Sequence, residues 1–337
     1  MLYLHGLGHF HPENEITNQF LEELDIGTSE AWILERVGIR SRRTVMPLDY
    51  IRDTRNREPR EALEVADYSG PEMAERAAHM AIRRAGIDPS EIGMVISGCS
   101  APDTAAPAEA CRVARLLDLE VPAFDVNSAC TSFFVALNLL DGMRPECLPP
   151  YVLVVAPEGL SRTVDYRDRS AAVLWGDAAV AAVVSPHEVG PARILGSTLV
   201  SSPAGADKVV VPRLGHFRQE GRTVQMFAIK KTGDLLQRQR DAYTDPERRF
   251  HFVGHQANLR MLETVCQRCE VPEERHHFNV DWYGNTGAAS AGSVVSMNWD
   301  KWDGKDDLAV VGVGSGLTWS SYLIRFDKAP RGPEGVA

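Results

Sequence analysis

From Ile92 to Ser185 the chain repeats one pattern: a short apolar run, a polar break, then apolar positions spaced three and four apart. IGMVISGCS (92–100), VPAFDV (121–126), YVLVVAP (151–157) and AAVAAVVS (178–185) are four such runs. RILGSTLV (193–200), RRFHFVGH (248–255), HHFNVDW (276–282) and LAVVGVGSG (308–316) are four more. Several are rich in Val and Ile without strict alternation, the pattern of strands buried on both faces. Between them the period changes. Residues 72–85 place Met73, Ala77, Met80 and Ala81 along one helical face, with Gly86 as the cap. Residues 131–141 are apolar nearly all round, which predicts a central, buried helix. Residues 257–270 predict another helix, ending before Pro272.

Two stretches break the alternation. PHEVGPA (186–192) reads as a joint, dividing the chain into similar halves, 1–187 and 188–337. Residues 44–71 are rich in Arg, Pro and Asp with little periodicity, and read as a surface excursion. The architecture expected is α/β, two like halves packed together.

Charge narrows the function. The 337 residues carry a formal net charge of -10, which argues against a nucleic-acid partner. No run approaches the roughly 20 apolar residues that span a bilayer. The N-terminal MLYLHGLGHFHPEN lacks the basic start of a signal peptide, so a cytoplasmic protein is expected. One local exception stands out: between Arg36 and Arg60 eight arginines face three acids, Asp49, Asp53 and Glu58. That stretch reads either as a solvated face or as a docking patch for an acidic partner.

The chemistry centres on DVNSACTSFFVALNLL (125–140), where a strand-like lead-in hands over to the buried helix at Cys130. A helix N-terminus favours a thiolate, and its free N–H groups can hold an oxyanion once sulfur attacks a carbonyl. Taken alone, such a cysteine is more often a packing residue. GHQANLR puts His255 at the end of a strand, and YGNTGAAS puts Asn285 in a Gly-flanked turn. Other signals carry less. Cys266 and Cys269 form a CxxC inside a helix, without the four ligands of a zinc site, and no metal is expected. GVGSG (312–316) is followed by a strand, which argues against a dinucleotide site. Cys111 reads as packing.

Taken in order, these motifs resemble the β-ketoacyl-acyl carrier protein synthase III family, condensing enzymes of the thiolase fold. TSEAWILERVGIRSRR (28–43), PAFDV, DYRDR (165–169), WGDAA (175–179) and the closing GLTW match it as well. The resemblance implies two βαβαβαββ halves in a layered α-β-α-β-α architecture. It makes Cys130 the nucleophile that takes an acyl group from a thioester. It makes His255 and Asn285 the donors to the second substrate's thioester oxygen, and the backbone N–H groups of Cys130 and Ser315 an oxyanion hole. Trp32, Arg36, Arg169 and Asn258 would hold coenzyme A or phosphopantetheine, which enter as substrates and not as resident cofactors. Gln256 and Arg260 would meet an acyl carrier protein, and the enzyme would be a homodimer.

Two features of this chain pull away from the fatty-acid-initiating pattern. Ala106 stands where relatives place a bulky aromatic closing the partner subunit's acyl pocket, and 44–71 is longer than its counterpart. They favour a specialised enzyme that condenses two acyl or β-ketoacyl thioesters in a polyketide or other secondary pathway. The alternative is decarboxylative initiation of fatty acid synthesis with malonyl-carrier protein. A third, minor reading is a quiet partner subunit. Asp103 and Glu109 are the carboxylates nearest Ala106 in sequence.

Overall fold

Nine strands form one sheet in the computed structural model, which describes residues 1–213 and 215–330. They are β1 (Leu2–Phe10), β2 (Ile92–Gly98), β3 (Ala123–Val126), β4 (Tyr151–Glu158), β5 (Ala178–Ser185), β6 (Ala192–Ser201), β7 (Arg249–Gly254), β8 (Asp306–Gly314) and β9 (Thr318–Phe326). Their order is β7-β8-β9-β6-β1-β5-β4-β2-β3. Strands before residue 187 fill one flank and strands after it fill the other. The flanks meet at a short seam, where Leu2–Leu4 pair with Ala192–Ile194.

Six helices cover the sheet: α1 (Gly70–Ala85), α2 (Glu109–Leu116), α3 (Ser132–Gly142), α4 (Gly221–Tyr243), α5 (Leu259–Arg268) and α6 (Ser290–Met297). The core partitions with the period of a strand. On β4, Leu153 and Val155 pack outward under α1 and α2, while Val152, Val154 and Ala156 pack inward. On β8, Leu308 and Val310 face the same inner core, while Ala309, Val311 and Val313 face α4 and α5. The inner core holds Phe133, Phe134, Leu137 and Leu140 of α3 and Val294 and Val295 of α6. The layers are therefore helix, sheet, helix, sheet, helix. That is why α3 is apolar nearly all round: sheet covers it on two sides.

Several expectations change. Strand β1 was hidden by its glycines and histidines. A Cβ on Gly8 would lie 1.9 Å from the Ala77 carbonyl oxygen, so α1 lies directly on this strand. HHFNVDW is not a strand: His276 makes one bridge to Phe252, and Val280–Tyr283 form a helical turn. The 23-residue α4 has only a weak signal in the sequence because its apolar face is narrow, with Ala228, Leu235 and Leu236 the buried apolar residues. The segment 44–71 is not a mere surface excursion. Val45, Met46, Ile51 and Ala62 are fully buried, and helices Leu48–Thr54 and Glu61–Val65 run through it.

The sandwiched position of α3 is testable. Phe133→Ala should cost about 3–5 kcal/mol of stability, as a large-to-small change in a closed core does. Val189→Ala, at an exposed loop position, should cost less than about 0.5 kcal/mol in the same denaturant titration. Equal shifts would mean that α3 is not enclosed.

Candidate active site

Cys130 lies in a single 3-10 turn, Ala129–Thr131, between the end of β3 and the start of α3. Ala129 has φ +48°, a left-handed backbone uncommon for a residue with a side chain. The polar residues of the turn hold it there. The Ala129 N–H donates to Asn127 Oδ1 at 3.0 Å, and the Ser128 N–H donates to Ser132 Oγ at 2.8 Å. The Ser132 hydroxyl donates to the Ala129 carbonyl at 2.6 Å, and the Thr131 hydroxyl to the Ser128 carbonyl at 2.7 Å. The end of β8 crosses close above. A Cβ on Gly314 would stand 3.1 Å from the Cys130 nitrogen, so only glycine fits without displacing the turn. Ser315 follows, its hydroxyl donating to the Val209 carbonyl at 2.6 Å.

His255 directly follows β7 and is buried. Its Nδ1 meets the Ser290 hydroxyl at 2.8 Å, which leaves Nε2 for the cavity. Burial pushes its pKa down to about 4, so the imidazole is neutral at pH 7. In the tautomer where the Ser290 hydroxyl donates to Nδ1, Nε2 carries the proton and is a donor. Ser290 was not singled out from the sequence. It sits at the end of the same GNTGAAS motif, and only the fold brings it beneath the ring.

Asn285 is pinned by its backbone. Its N–H donates to the Leu174 carbonyl at 2.8 Å, and its carbonyl accepts from the Gly176 N–H at 3.0 Å. Its side-chain Oδ1 accepts from the Gly287 N–H at 3.0 Å, so the amide's two N–H bonds are left over. Cys130, His255, Asn285 and Ser315 line one cavity of about 340 Å³. Trp32, Arg36 and Asn258 line it too.

Glu158, fully buried at the end of β4, ties the two sides of the site together. Its carboxylate accepts from the Ser100 N–H at 3.0 Å, the Ser100 hydroxyl at 2.7 Å and the Ala288 N–H at 3.1 Å. Burial pushes its pKa up to about 7. Burial, and secondarily this carboxylate, push the Cys130 thiol up to about 12. The helix N-terminus therefore does not make a resting thiolate here: desolvation outweighs the dipole.

Other residues fall differently. Arg169 does not line the cavity, but its guanidinium lies 4.9 Å from the Trp32 ring centre and donates to the Gly27 carbonyl. Arg36 lies 6.0 Å from the same ring. Gln256 cannot dock a carrier protein. It is fully buried, donating to the Gly254 carbonyl and accepting from the Asn279 N–H, because its amide closes the turn between β7 and the 279–280 segment. Arg260 is exposed, bonded to the Leu34 carbonyl and paired with Glu263 at 2.9 Å. Ala106 is exposed and does not line the cavity that holds Cys130. Asp103 and Glu109 are held by arginines, Asp103 by Arg162 at 2.7 Å and Glu109 by Arg112 at 3.4 Å. The arginines of 36–60 do not form one basic face. Arg42 is fully buried on the Val173 carbonyl and Asn18, and Arg43 and Arg52 are paired with Glu15 and Asp49. Cys266 and Cys269 are half-buried between α5 and α4.

A buried cysteine at a strand-to-helix turn, with a histidine and an asparagine from the other flank across one cavity, defines an acyltransferase of the thiolase fold. The family model for 3-oxoacyl-[acyl-carrier-protein] synthase III matches residues 124–203, and the model for its C-terminal part matches 241–326. The β-ketoacyl-[acyl-carrier-protein] synthase III of Aquifex aeolicus is 31% identical over 327 residues, 95% of this chain and 98% of that one. That of Syntrophomonas wolfei is 32% identical over 345 residues, 96% and 97% of the two chains. The crystal structure of the Aquifex aeolicus enzyme superposes with a TM-score of 0.85, covering 97% of this chain and all of that one at 29% identity. A priming β-ketosynthase of a polyketide pathway superposes at 0.82 with 26% identity, covering 98% and 97% of the two chains. OleA of Xanthomonas campestris superposes at 0.81 with 21% identity, covering 96% and 98%, a likeness of fold alone. The chain belongs to the β-ketoacyl-acyl carrier protein synthase III family of condensing acyltransferases.

The His255–Ser290 contact gives two predictions. Because the imidazole loses its proton near pH 4, the acid limb set by His255 should fall below about pH 5, not near 6.5. A condensation-rate profile at saturating substrate measures this, and a limb at 6.5 would contradict it. Ser290→Ala should lower condensation about 10-fold or more while leaving acylation of Cys130 within about twofold.

Proposed function

We propose that the protein is a decarboxylative β-ketoacyl-acyl carrier protein synthase III, which extends an acyl primer with a malonyl-carrier protein. One observation carries this reading. His255 and Asn285 each spend one side-chain atom on a neighbour and leave a donor free on the cavity that holds Cys130. Two donors from separate turns suit an enolate oxygen.

In the first half-reaction the Cys130 sulfur attacks the acyl thioester carbonyl. The Cys130–acyl bond forms, the acyl–pantetheine bond breaks, and the thiol proton ends on the departing sulfur. The N–H groups of Cys130 and Ser315 receive the negative charge on the tetrahedral oxygen. In the second, the malonyl carboxylate leaves as carbon dioxide. Its bonding electrons pass into an enolate held by His255 and Asn285. The enolate carbon then attacks the acyl-Cys130 carbonyl, a carbon–carbon bond forms, the carbon–sulfur bond breaks, and the released sulfur takes a proton from water to restore the thiol. The raised thiol pKa suits this leaving step poorly unless the N–H groups of the turn stabilise the sulfur as it departs.

Coenzyme A and phosphopantetheine are substrates in this scheme, passing Trp32, Arg36 and Asn258, with Arg169 steadying the Trp32 ring. The carrier protein is acidic and meets Arg260, with Arg36 and Arg169 exposed nearby along the same channel. A homodimer fits the open edge of β3, which pairs on one side only and carries the exposed Phe124. A cytoplasmic site of action accords with the substrates, and no helix among the described residues is long and apolar enough to cross a membrane.

The two-chain condensation in secondary metabolism is the less supported reading, and much of the 44–71 segment that favoured it is core. The relatives at 30–32% identity carry the initiating enzyme's name. Intact mass after incubation with acyl-coenzyme A donors, followed by malonyl-carrier protein, tests the choice. Wild type should gain an acyl group on Cys130, then yield a β-ketoacyl product and carbon dioxide, and Cys130→Ala should gain nothing. His255→Ala and Asn285→Ala should still acylate but condense about 100-fold more slowly or worse. Turnover only with a second acyl or β-ketoacyl thioester would overturn the decarboxylative reading.

A further inference from the structure

On the other side of the nucleophile turn lies a second cavity, of about 450 Å³. The turn is its shared wall: Asn127 lines the second cavity and Cys130 lines the first. Ser100, on the same wall, is bonded to Glu158, the carboxylate whose field reaches Cys130. Val209 and Val211 roof the first and second cavities in turn. The segment 127–130 thus borders both cavities, with the nucleophile on one and Asn127 on the other.

A site for a plain alkyl chain would be lined by apolar side chains. This one carries Arg60, Ser100, Asp103, Asn127, Arg162 and Arg213 on its walls. Its charges do not cancel. Asp103 is already paired with Arg162 at 2.7 Å and Arg112 at 3.4 Å, and it accepts from the Gly70 N–H at 2.9 Å. Arg162 spends another donor on the Gly159 carbonyl. Arg60 and Arg213 are both exposed, and neither has a carboxylate within 4 Å among the described residues. Two unpaired guanidinium groups at a cavity rim are donors in search of an anion, and their planar forks match a carboxylate. Leu63 and Val211 supply the apolar surface that the methylenes of a short chain would cover.

We propose that this cavity is the acyl subsite and that it selects primers ending in a carboxylate, that is, ω-carboxyacyl thioesters. The inference rests on the acyl-Cys130 reading above and adds the chemical class of the primer. The transferred bond is the same as before, and the distal carboxylate passes through unchanged.

The test is a race between matched donors. Straight-chain acyl-coenzyme A thioesters of four, five and six carbons are paired with their ω-carboxy counterparts, and the rate of mass gain on Cys130 is read for each. The carboxyacyl partner should load faster in at least one pair. The double variant Arg60→Ala/Arg213→Ala should slow that donor about 10–100-fold, the loss expected for charge-assisted hydrogen bonds. It should leave the neutral partner within about twofold, which also shows that the variant is folded. Wild type that loads only neutral chains, or a double variant that slows both classes equally, overturns the proposal. Loading of no donor at all overturns the acyl-cysteine reading itself, and this one with it.

Discussion

The structure turns on the burial of one helix. α3 has almost no polar face, and only sheet on two sides can cover Phe133, Phe134, Leu137 and Leu140 together. Enclosing it brings the two flanks of the sheet, joined by a seam of three residue pairs, onto opposite sides of the same inner core. The N-terminus of that helix then opens where strands of both flanks end, and Cys130 stands there. Burial of the helix and exposure of its first turn to a cavity are two consequences of one packing arrangement.

That arrangement sets the electrostatics. A thiol at 9% exposure beside a buried carboxylate is held neutral, against the pull of the helix N-terminus. His255 is held neutral by the same desolvation. The ground state therefore keeps few charges in the site. Its fixed donors (the N–H groups at the turn, the His255 ring and the Asn285 amide) are oriented before any charge develops. Glu158 fixes the distance between their supports, since one carboxylate binds both the Ser100 loop after β2 and the Ala288 turn after Asn285. A Cβ on Gly287 would lie 3.1 Å from that carboxylate, so the turn and the acid are fitted to one another.

The nucleophile turn also separates two spaces of different character. The first is bounded by Trp32 with two arginines near its ring, and by the histidine and asparagine donors. The second is bounded by loops that follow β2 and β4 and by the helical segment that carries Arg60 and Leu63. A condensing enzyme needs two such spaces, one for the pantetheine arm and one for the group that stays on sulfur. In this chain the second is walled partly by Pro59, Arg60 and Leu63 of the 44–71 segment.

The sequence alone determined the strands of both flanks other than β1, the central helix, and the three candidate residues, Cys130, His255 and Asn285, that the fold brings to one cavity. Each is signalled locally, by a run of Val and Ile, by an all-round apolar helix, or by a Gly-flanked motif such as GNTGAAS. Local signals failed where long-range contact decides. Strand β1 looks like a loop until α1 is seen lying on its glycines, and Gln256 looks like a surface amide until its partners 254 and 279 close around it. The arginines of 36–60 look like one patch, yet Arg42 ends in the core because a carbonyl and an asparagine from distant segments receive it. Ser290 under His255, the protonation of Cys130 and the second cavity with its rim arginines belong to the tertiary structure alone. Hydrogen-bond geometry and desolvation depend on which segments meet, and no stretch of sequence carries that information by itself.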